Sequence, residues 1–77
     1  RVNAISAGPM RTLAGAAIAN AREVFKYTNE NSSLKRNVSL DELGNSALYL
    51  VSEMSAAVTG EIHYVDCGFN IVGMPRS

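Results

Sequence analysis

The stretch RVNAISAGPMRTLA, residues 1–14, determines how the rest of the chain is interpreted. Its first residues are mostly apolar but form too short a run for a helix, which predicts a buried strand over residues 2–6. Gly8 and Pro9 then end the strand, because glycine accepts backbone angles that other residues avoid and proline cannot donate to a sheet ladder. In a parallel sheet, ligands bind at the carboxyl ends of the strands. The sequence therefore predicts a cofactor at this turn, near the hydroxyl of Thr12.

The chain is short for an independent domain. It has 77 residues and a single cysteine, Cys67, and a chain of this size buries only roughly 60% of the surface that it exposes when unfolded. It also begins at Arg1, directly within the predicted strand and without an initiator Met. We therefore expect residues 1–77 to be the carboxyl-terminal portion of a longer polypeptide.

Charge and composition argue against several classes of function. Seven basic and seven acidic residues give a formal net charge of zero, whereas a nucleic-acid-binding protein needs a cationic surface to displace the counterions of phosphates. No apolar run approaches the ~20 residues that cross a bilayer. A lone cysteine cannot form an internal disulfide, which favours a reducing compartment. We therefore expect a soluble, cytoplasmic protein.

An amphipathic helix is predicted over residues 13–27, where apolar and small side chains recur at the spacing of one helical face. Its first turns, LAGAAIA (residues 13–19), consist mostly of small residues that form few packing contacts, and glycine weakens a helix by about 1 kcal/mol relative to alanine. Two interpretations remain open, a mobile lid and a helix that packs closely against its neighbours. A polar connection, Thr28–Ser33, is expected to follow. The basic pair Lys35 and Arg36 is expected to lie in solvent and not to form a phosphate clamp, because two charges do not make a cationic patch.

A second helix is predicted to begin after Ser39 and to end near Ser55. Ser39 and Glu42 have the spacing of a capping box, in which the serine hydroxyl accepts a hydrogen bond from a first-turn amide and the glutamate reaches back to the cap. Gly44 is expected to allow close approach to a strand. The apolar residues that recur on one side of this helix, expected to be buried against a sheet, are Leu40, Leu43, Ala47, Leu50, Val51 and Met54.

A second strand, Glu61–Val65, is predicted from its β-branched and aromatic residues. Gly60 precedes it as a candidate for left-handed backbone, Asp66 is expected to hold the following turn through an Asx-type hydrogen bond, and the apolar tail Phe69–Met74 follows. The element order is then strand, helix, helix, strand, which implies a parallel pair and an α/β fold. Two strands cannot cover two amphipathic helices, so further strands are expected from outside these residues.

Catalytic groups are not evident in these residues. A G-x-G-x-x-G fingerprint does not occur, and no tyrosine is followed at four or six residues by a lysine that would lower the pKa of its phenol. His63 is expected to pack within its strand or face solvent. Cys67 lacks a neighbouring base and is expected to be structural. No metal site is predicted.

The quoted residues nevertheless resemble a known family. RVNAISAGPMRTLA, the small-residue segment after it, VSLDELGNSALYL and TGEIHYVDCGF are similar to the carboxyl-terminal third of bacterial NADH-dependent enoyl-acyl carrier protein reductases. This family is a divergent branch of the short-chain dehydrogenase/reductase superfamily. The superfamily usually has V-N-x-I-x-P-G at the first stretch, whereas A-G-P followed by R-T-L-A (residues 7–9 and 11–14) is the reductase version. The similarity covers essentially the whole chain.

The resemblance implies a parallel Rossmann-type sheet whose last two strands are residues 2–6 and 61–65. It implies NAD as the cofactor and hydride transfer from NADH to the β-carbon of a trans-2-enoyl thioester carried by acyl carrier protein. It also implies a homotetramer. The family's catalytic Tyr and Lys lie upstream of Arg1, so no catalytic residue is expected in this stretch and no activity is expected from the chain alone.

The resemblance also assigns binding residues. It implies that the main chain of Met10 bonds to the nicotinamide carboxamide and that Thr12 approaches the ribose and pyrophosphate. Arg22 matches a basic position that meets the acyl carrier protein, although Ala19 and Glu23 depart from the basic pattern of some members. The implied cofactor-binding residues are Gly8, Met10, Arg11, Thr12, Leu13 and Ala14. The implied acyl-pocket residues, within a substrate lid, are Ala14, Ala17 and Ile18.

Two other functions remain open. Another short-chain reductase, such as a 3-oxoacyl carrier protein reductase, would have the same fold and a carbonyl substrate, and the upstream spacing of its catalytic Tyr and Lys would distinguish it. A non-enzymatic helical interaction module would use the two amphipathic helices to dock a partner. A stable, cooperatively folded monomer of these 77 residues would favour the module.

Overall fold

The computed structural model describes residues 1–10 and 21–73. These residues form, in chain order, β1 (Ala4–Ala7), α1 (Ala21–Asn31), α2 (Leu40–Val51), the 3-10 helix η1 (Glu53–Ser55), β2 (Ile62–Val65) and the 3-10 helix η2 (Phe69–Ile71). The predicted α/β order of strand, helix, helix, strand is confirmed. Within the described ranges, neither helix is long and apolar enough to cross a membrane.

The two strands pair in parallel, as the sequence predicts. The first strand lies at Ala4–Ala7 and not at residues 2–6, and the prediction that it is buried is wrong for the described residues, because both its ends are exposed and Ile5 and Ser6 are only half-buried. Ala4 lies opposite Ile62, and Ala7 lies opposite Val65. Just before β2, the amide of Gly60 donates to the carbonyl of Val2 over 2.7 Å. Gly60 has a φ of 71°, which is the left-handed conformation expected at this position. Both α-helices lie in the connection between the two parallel strands.

Helix α1 extends further than predicted. The prediction of a polar connection over Thr28–Ser33 is wrong for residues 28–31, because the helix continues to Asn31. Thr28 and Asn31 are buried, and the side-chain amide of Asn31 donates to the carbonyl of Tyr27 over 2.9 Å. A side chain that bonds back into the preceding turn prolongs the helix despite its low intrinsic propensity. The predicted start at residue 13 and the LAGAAIA segment lie outside the described residues.

Helix α2 begins as predicted and ends earlier. The capping box is present: the Ser39 hydroxyl accepts from the Glu42 amide over 3.1 Å, and the Glu42 carboxylate accepts from the Ser39 amide over 2.9 Å. The α-helix ends at Val51 and not near Ser55, because Ser52 has extended backbone with φ −95° and ψ 170°. The Ser52 hydroxyl accepts from the Met54 amide over 3.3 Å and so begins η1. A serine hydroxyl that bonds to a nearby main-chain amide in this way competes with the helical hydrogen bonds and favours the end of the α-helix.

The apolar side of α2 is only partly buried. Leu50 is buried and Leu43 and Ala47 are half-buried, but Val51 and Met54 are 79% and 82% exposed. Leu40 is exposed as well. The prediction that the whole side packs on a sheet is therefore wrong for the described residues, because a pair of four-residue strands is too narrow to cover it.

The expectation for Gly44 is also wrong. Apart from its chain neighbours and the backbone of α2 itself, no heavy atom of the described residues lies within 4 Å of a Cβ placed on it. Neither β1 nor β2 approaches α2 closely at this glycine, which lies on an exposed part of the helix.

Arg1 fixes the carboxyl end of α2 to the start of β1. Its guanidinium donates to the Ser55 hydroxyl over 3.0 Å, to the carbonyl of Val58 over 3.0 Å and to the carbonyl of Ser52 over 3.1 Å. A cation at this end satisfies carbonyls that the helix leaves unpaired. No local pattern in the sequence predicts these contacts of Arg1.

Candidate functional site

The carboxyl ends of β1 and β2 lie side by side because the strands are parallel. The ladder extends past β1, since the amide of Gly8 donates to the carbonyl of Val65 over 3.0 Å. Residues 8–10 and 66–68 therefore share one edge of the sheet, which we call the carboxyl edge. In open α/β sheets this is the edge at which ligands bind.

Gly8 lies in a tight space at this edge. A Cβ on Gly8 would lie 3.2 Å from both Cα and Cβ of Asp66, and 3.6 Å from a methyl group of Val38. Its φ is not in the left-handed region, where Gly60 and Gly68 lie. The expectation that Gly8 serves through unusual backbone angles is therefore corrected: its lack of a side chain lets the two strand ends approach closely.

Asp66 holds the turn after β2, as predicted. Its carboxylate oxygens accept hydrogen bonds from the amides of Gly68 and Asn70, each over 3.0 Å. Cys67 and Gly68 both have positive φ, 56° and 82°, so the turn that Asp66 holds contains two consecutive residues with left-handed backbone. The carboxylate of Asp66 thereby fixes the shape of the turn.

The other titratable residues of β2 and its turn do not form a catalytic pair. His63 is half-buried in the strand, and its Nδ1 lies 3.6 Å from a carboxylate oxygen of Glu61. Cys67 is a free, half-buried cysteine. The position of His63 within its strand agrees with the expectation, and the structural role of Cys67 stays a prediction.

The basic pair after α1 is exposed, as expected, and both cations have partners. Arg36 forms a two-pronged ion pair with Glu42, with both N–O distances 2.7 Å. The Arg36 hydrogen bonds, followed by that from the Ser39 main chain, lower the pKa of Glu42 to about 2. The Lys35 ammonium donates to the carbonyl of Glu30 over 3.3 Å. Arg36 is therefore committed to α2, which disfavours a phosphate clamp.

Two of the predicted site residues lie at the carboxyl edge. Gly8 and Met10 are both half-buried there. The roles assigned to their main chain remain predictions. Arg22, the expected docking residue, is exposed on α1. The other predicted cofactor and acyl-pocket residues lie outside the described residues: Arg11, Thr12, Leu13, Ala14, Ala17 and Ile18.

The sequence did not predict the contact between the connection after α1 and the turn after β2. The Leu34 amide donates to the carbonyl of Cys67 over 3.0 Å. The Ser33 hydroxyl donates to the carbonyl of Gly68 over 2.9 Å. The spacing of neighbouring residues cannot predict a contact between two segments that are more than thirty residues apart in the chain.

Comparison with known proteins identifies strong similarities. A profile of the family described as enoyl-(acyl carrier protein) reductase matches residues 1–70. The enoyl-[acyl-carrier-protein] reductase [NADH] 2 of Rhizobium meliloti (strain 1021) is 60% identical over 75 residues, which are 97% of this chain and 28% of that protein. The Rickettsia typhi enoyl-[acyl-carrier-protein] reductase [NADH] FabI is 55% identical over 76 residues, 99% of this chain and 29% of that protein. The chain thus spans less than a third of the length of these relatives.

Solved structures give the same result. The crystal structure of FabI from Candidatus Liberibacter asiaticus has a TM-score of 0.91 and 67% identity, covering 99% of this chain and 30% of that one. The enoyl-(acyl-carrier-protein) reductase of Anaplasma phagocytophilum, solved in complex with NAD, has a TM-score of 0.89 and 48% identity, covering 100% of this chain and 29% of that one.

Proposed function

Because this chain belongs to the enoyl-(acyl carrier protein) reductase family, we propose that it forms the carboxyl-terminal part of a Rossmann-type, NADH-dependent reductase of fatty acid biosynthesis. The substrate is a trans-2-enoyl thioester carried by acyl carrier protein. The observation that carries the proposal is the family match over residues 1–70, which includes the whole carboxyl edge. The named relatives are NADH enzymes, and one solved neighbour holds NAD.

The carboxyl edge fits the nicotinamide end of NAD. Gly8 donates the last ladder bond from β1 to Val65, and Pro9 has no N–H to donate. Met10 therefore carries the first main-chain N–H beyond the ladder, where a carboxamide oxygen can accept it. The close packing of Gly8 on Asp66 fixes where this turn leaves the sheet.

The residues of this chain act by binding and orientation. The cofactor, when bound in its reduced form NADH, would supply the hydride for the β-carbon and be oxidised to NAD. Met10 would orient the nicotinamide through its main chain, and Thr12 would hold the ribose and pyrophosphate. The remaining cofactor residues would be Gly8, Arg11, Leu13 and Ala14, and the acyl pocket would include Ala14, Ala17 and Ile18. The proton-transferring Tyr and Lys would come from residues that precede this chain in the family.

We further infer a cytoplasmic homotetramer, with residues 1–77 as the closing part of one Rossmann domain. Exposed apolar residues on β2 and its continuation support a subunit contact there, since Ile62, Tyr64 and Ile71 are all exposed. Arg22 on α1 is available to an acidic carrier protein. Sedimentation of the assembled enzyme as a monomer would contradict the assembly.

A chimeric enzyme tests the proposal. This chain replaces the matching 75-residue segment of the Rhizobium meliloti relative, and NADH oxidation is followed with a trans-2-enoyl thioester and, separately, with a 3-oxoacyl thioester. We expect oxidation with the enoyl substrate. The relative without the segment is the matched control and should be inactive. A folded chimera that oxidises NADH only with the 3-oxoacyl substrate, or with neither, would contradict the proposal.

A further inference from the structure

Asp66 lies where the turn after β2 meets the end of β1. Its two carboxylate oxygens accept hydrogen bonds from the amides of Gly68 and Asn70, each over 3.0 Å, and its carbonyl accepts one from the amide of Phe69 over 3.2 Å. Because both carboxylate oxygens bond to main-chain amides of one turn, the side chain has a fixed orientation. Asp66 and its turn therefore hold each other in place.

Gly8 packs against this same residue. Its amide donates to the carbonyl of Val65, the residue before Asp66, over 3.0 Å. A Cβ on Gly8 would lie 3.2 Å from both Cα and Cβ of Asp66, and 3.6 Å from a methyl group of the buried Val38. Gly8 therefore lies in a narrow space formed by Asp66 and Val38, and a shift of Asp66 would move it.

The segment from Gly8 to Met10 has little freedom to absorb such a shift. Pro9 is the one residue between them, and its ring locks the φ angle of the main chain. Met10 carries the next main-chain N–H, which is the proposed donor to the nicotinamide carboxamide. The position of this N–H relative to the sheet therefore depends on where Gly8 lies.

The far side of the turn after β2 is held independently of the Asp66 carboxylate. The Leu34 amide donates to the carbonyl of Cys67 over 3.0 Å, and the Ser33 hydroxyl donates to the carbonyl of Gly68 over 2.9 Å. Both bonds come from the connection after α1. Removal of the Asp66 carboxylate would therefore change the shape of the turn beside Gly8 without detaching the turn from the fold.

We propose that Asp66 is a positioning residue for the nicotinamide: its carboxylate fixes the turn against which Gly8 packs, and thereby places the Met10 N–H at the carboxamide. Because the contact at Met10 belongs to the proposed function, this inference rests on it. In this role Asp66 acts through Gly8 and Met10 and not by contact with the cofactor. Its loss would therefore weaken the binding of the nicotinamide more than that of the rest of the cofactor.

The experiment uses the chimeric reductase and measures the dissociation constants of NADH and of ADP-ribose, which lacks the nicotinamide, by titration calorimetry. We expect Asp66→Ala to lower the preference for NADH over ADP-ribose, the ratio of the two constants, roughly two- to tenfold, the range for one lost hydrogen bond. Asp66→Asn keeps one of the two acceptor oxygens and should lower the ratio by a smaller factor. Asp41→Ala, which removes an exposed aspartate from the first turn of α2, is the matched control and should leave the ratio unchanged.

The outcomes separate this inference from the proposed function. An active parent chimera whose preference for NADH is unchanged in Asp66→Ala would overturn the inference alone. Equal weakening of NADH and ADP-ribose binding, with a lower thermal midpoint, would also overturn it, because a merely structural role of Asp66 predicts that pattern. A parent chimera that does not oxidise NADH with the enoyl thioester would overturn the proposed function, and this inference with it. If Asp66→Ala does not fold, the same ratio in Asp66→Asn decides the matter.

Discussion

At the scale of single residues, Gly8 and Gly44 are the same residue type in opposite surroundings. A Cβ on Gly8 would lie 3.2 Å from the backbone of Asp66, whereas one on Gly44 would have no described heavy atom within 4 Å apart from its chain neighbours and its own helix backbone. In the chimeric reductase we expect Gly8→Ala to cost about 1–3 kcal/mol through overpacking and to raise KM for NADH, because the Met10 turn must shift. Gly44→Ala, in a helix interior, should be neutral or stabilising by up to about 1 kcal/mol. Thermal unfolding measures the stability of each variant, and NADH titration measures its KM for NADH. If Gly8→Ala and Gly44→Ala changed these two quantities equally, this account of Gly8 would be contradicted.

At the scale of elements, the start of α2 is sensitive to pH. The pKa of Glu42 falls from 4.5 to about 2 because Arg36 and the Ser39 main chain bond to its charged form. A lowered folded pKa means that this stabilisation is present above pH 4.5 and is lost as the pH falls towards 2. The group is exposed, so the effect is small and decreases with salt. Glu42→Gln should lower the thermal midpoint near neutral pH and approach the parent near pH 2; Asp41→Asn, in the same helical turn but outside the capping box, is the control. A pH-independent difference would show that charge is not the cause.

The elements also show which features a sequence reveals. The capping box and the Asp66 turn were predictable because their partners lie within a few residues, where spacing alone determines geometry. The parallel pairing followed from element order. The end of α1 at Asn31 was not predictable, because it depends on burial that the sequence does not display. The hydrogen bonds from Ser33 to Gly68 and from Arg1 to Ser55 join residues that are far apart in the chain, so no local sequence pattern predicts them. The site was predictable only through resemblance, and of its residues only Gly8 and Met10 are described.

At the scale of the whole molecule, apolar surface exceeds apolar core in the described residues. Val38 and Leu50 are the only hydrophobic side chains there that are buried, while Val2, Val51, Met54 and Ile71 are each more than three-quarters exposed. A small chain needs a larger core, disulfides or a bound metal to offset the entropy of folding. The described structure therefore requires neighbouring surfaces to cover α2 and the sheet.

We accordingly expect the isolated 77-residue chain to lack a cooperative thermal transition by circular dichroism, to bind a hydrophobic dye and to oxidise no NADH with the enoyl thioester. Burial of the same residues in the chimeric reductase should remove the dye signal and give a sharp transition, because the apolar side of α2 would then be covered. Val51→Ser and Met54→Ser test whether the exposed side of α2 causes the dye binding. Both variants should reduce dye binding by the isolated chain and should destabilise the chimera. If this side of α2 faced solvent in the chimera, they would leave its stability unchanged. A monomeric isolated chain that unfolds sharply would contradict the expectation and favour an independent interaction module.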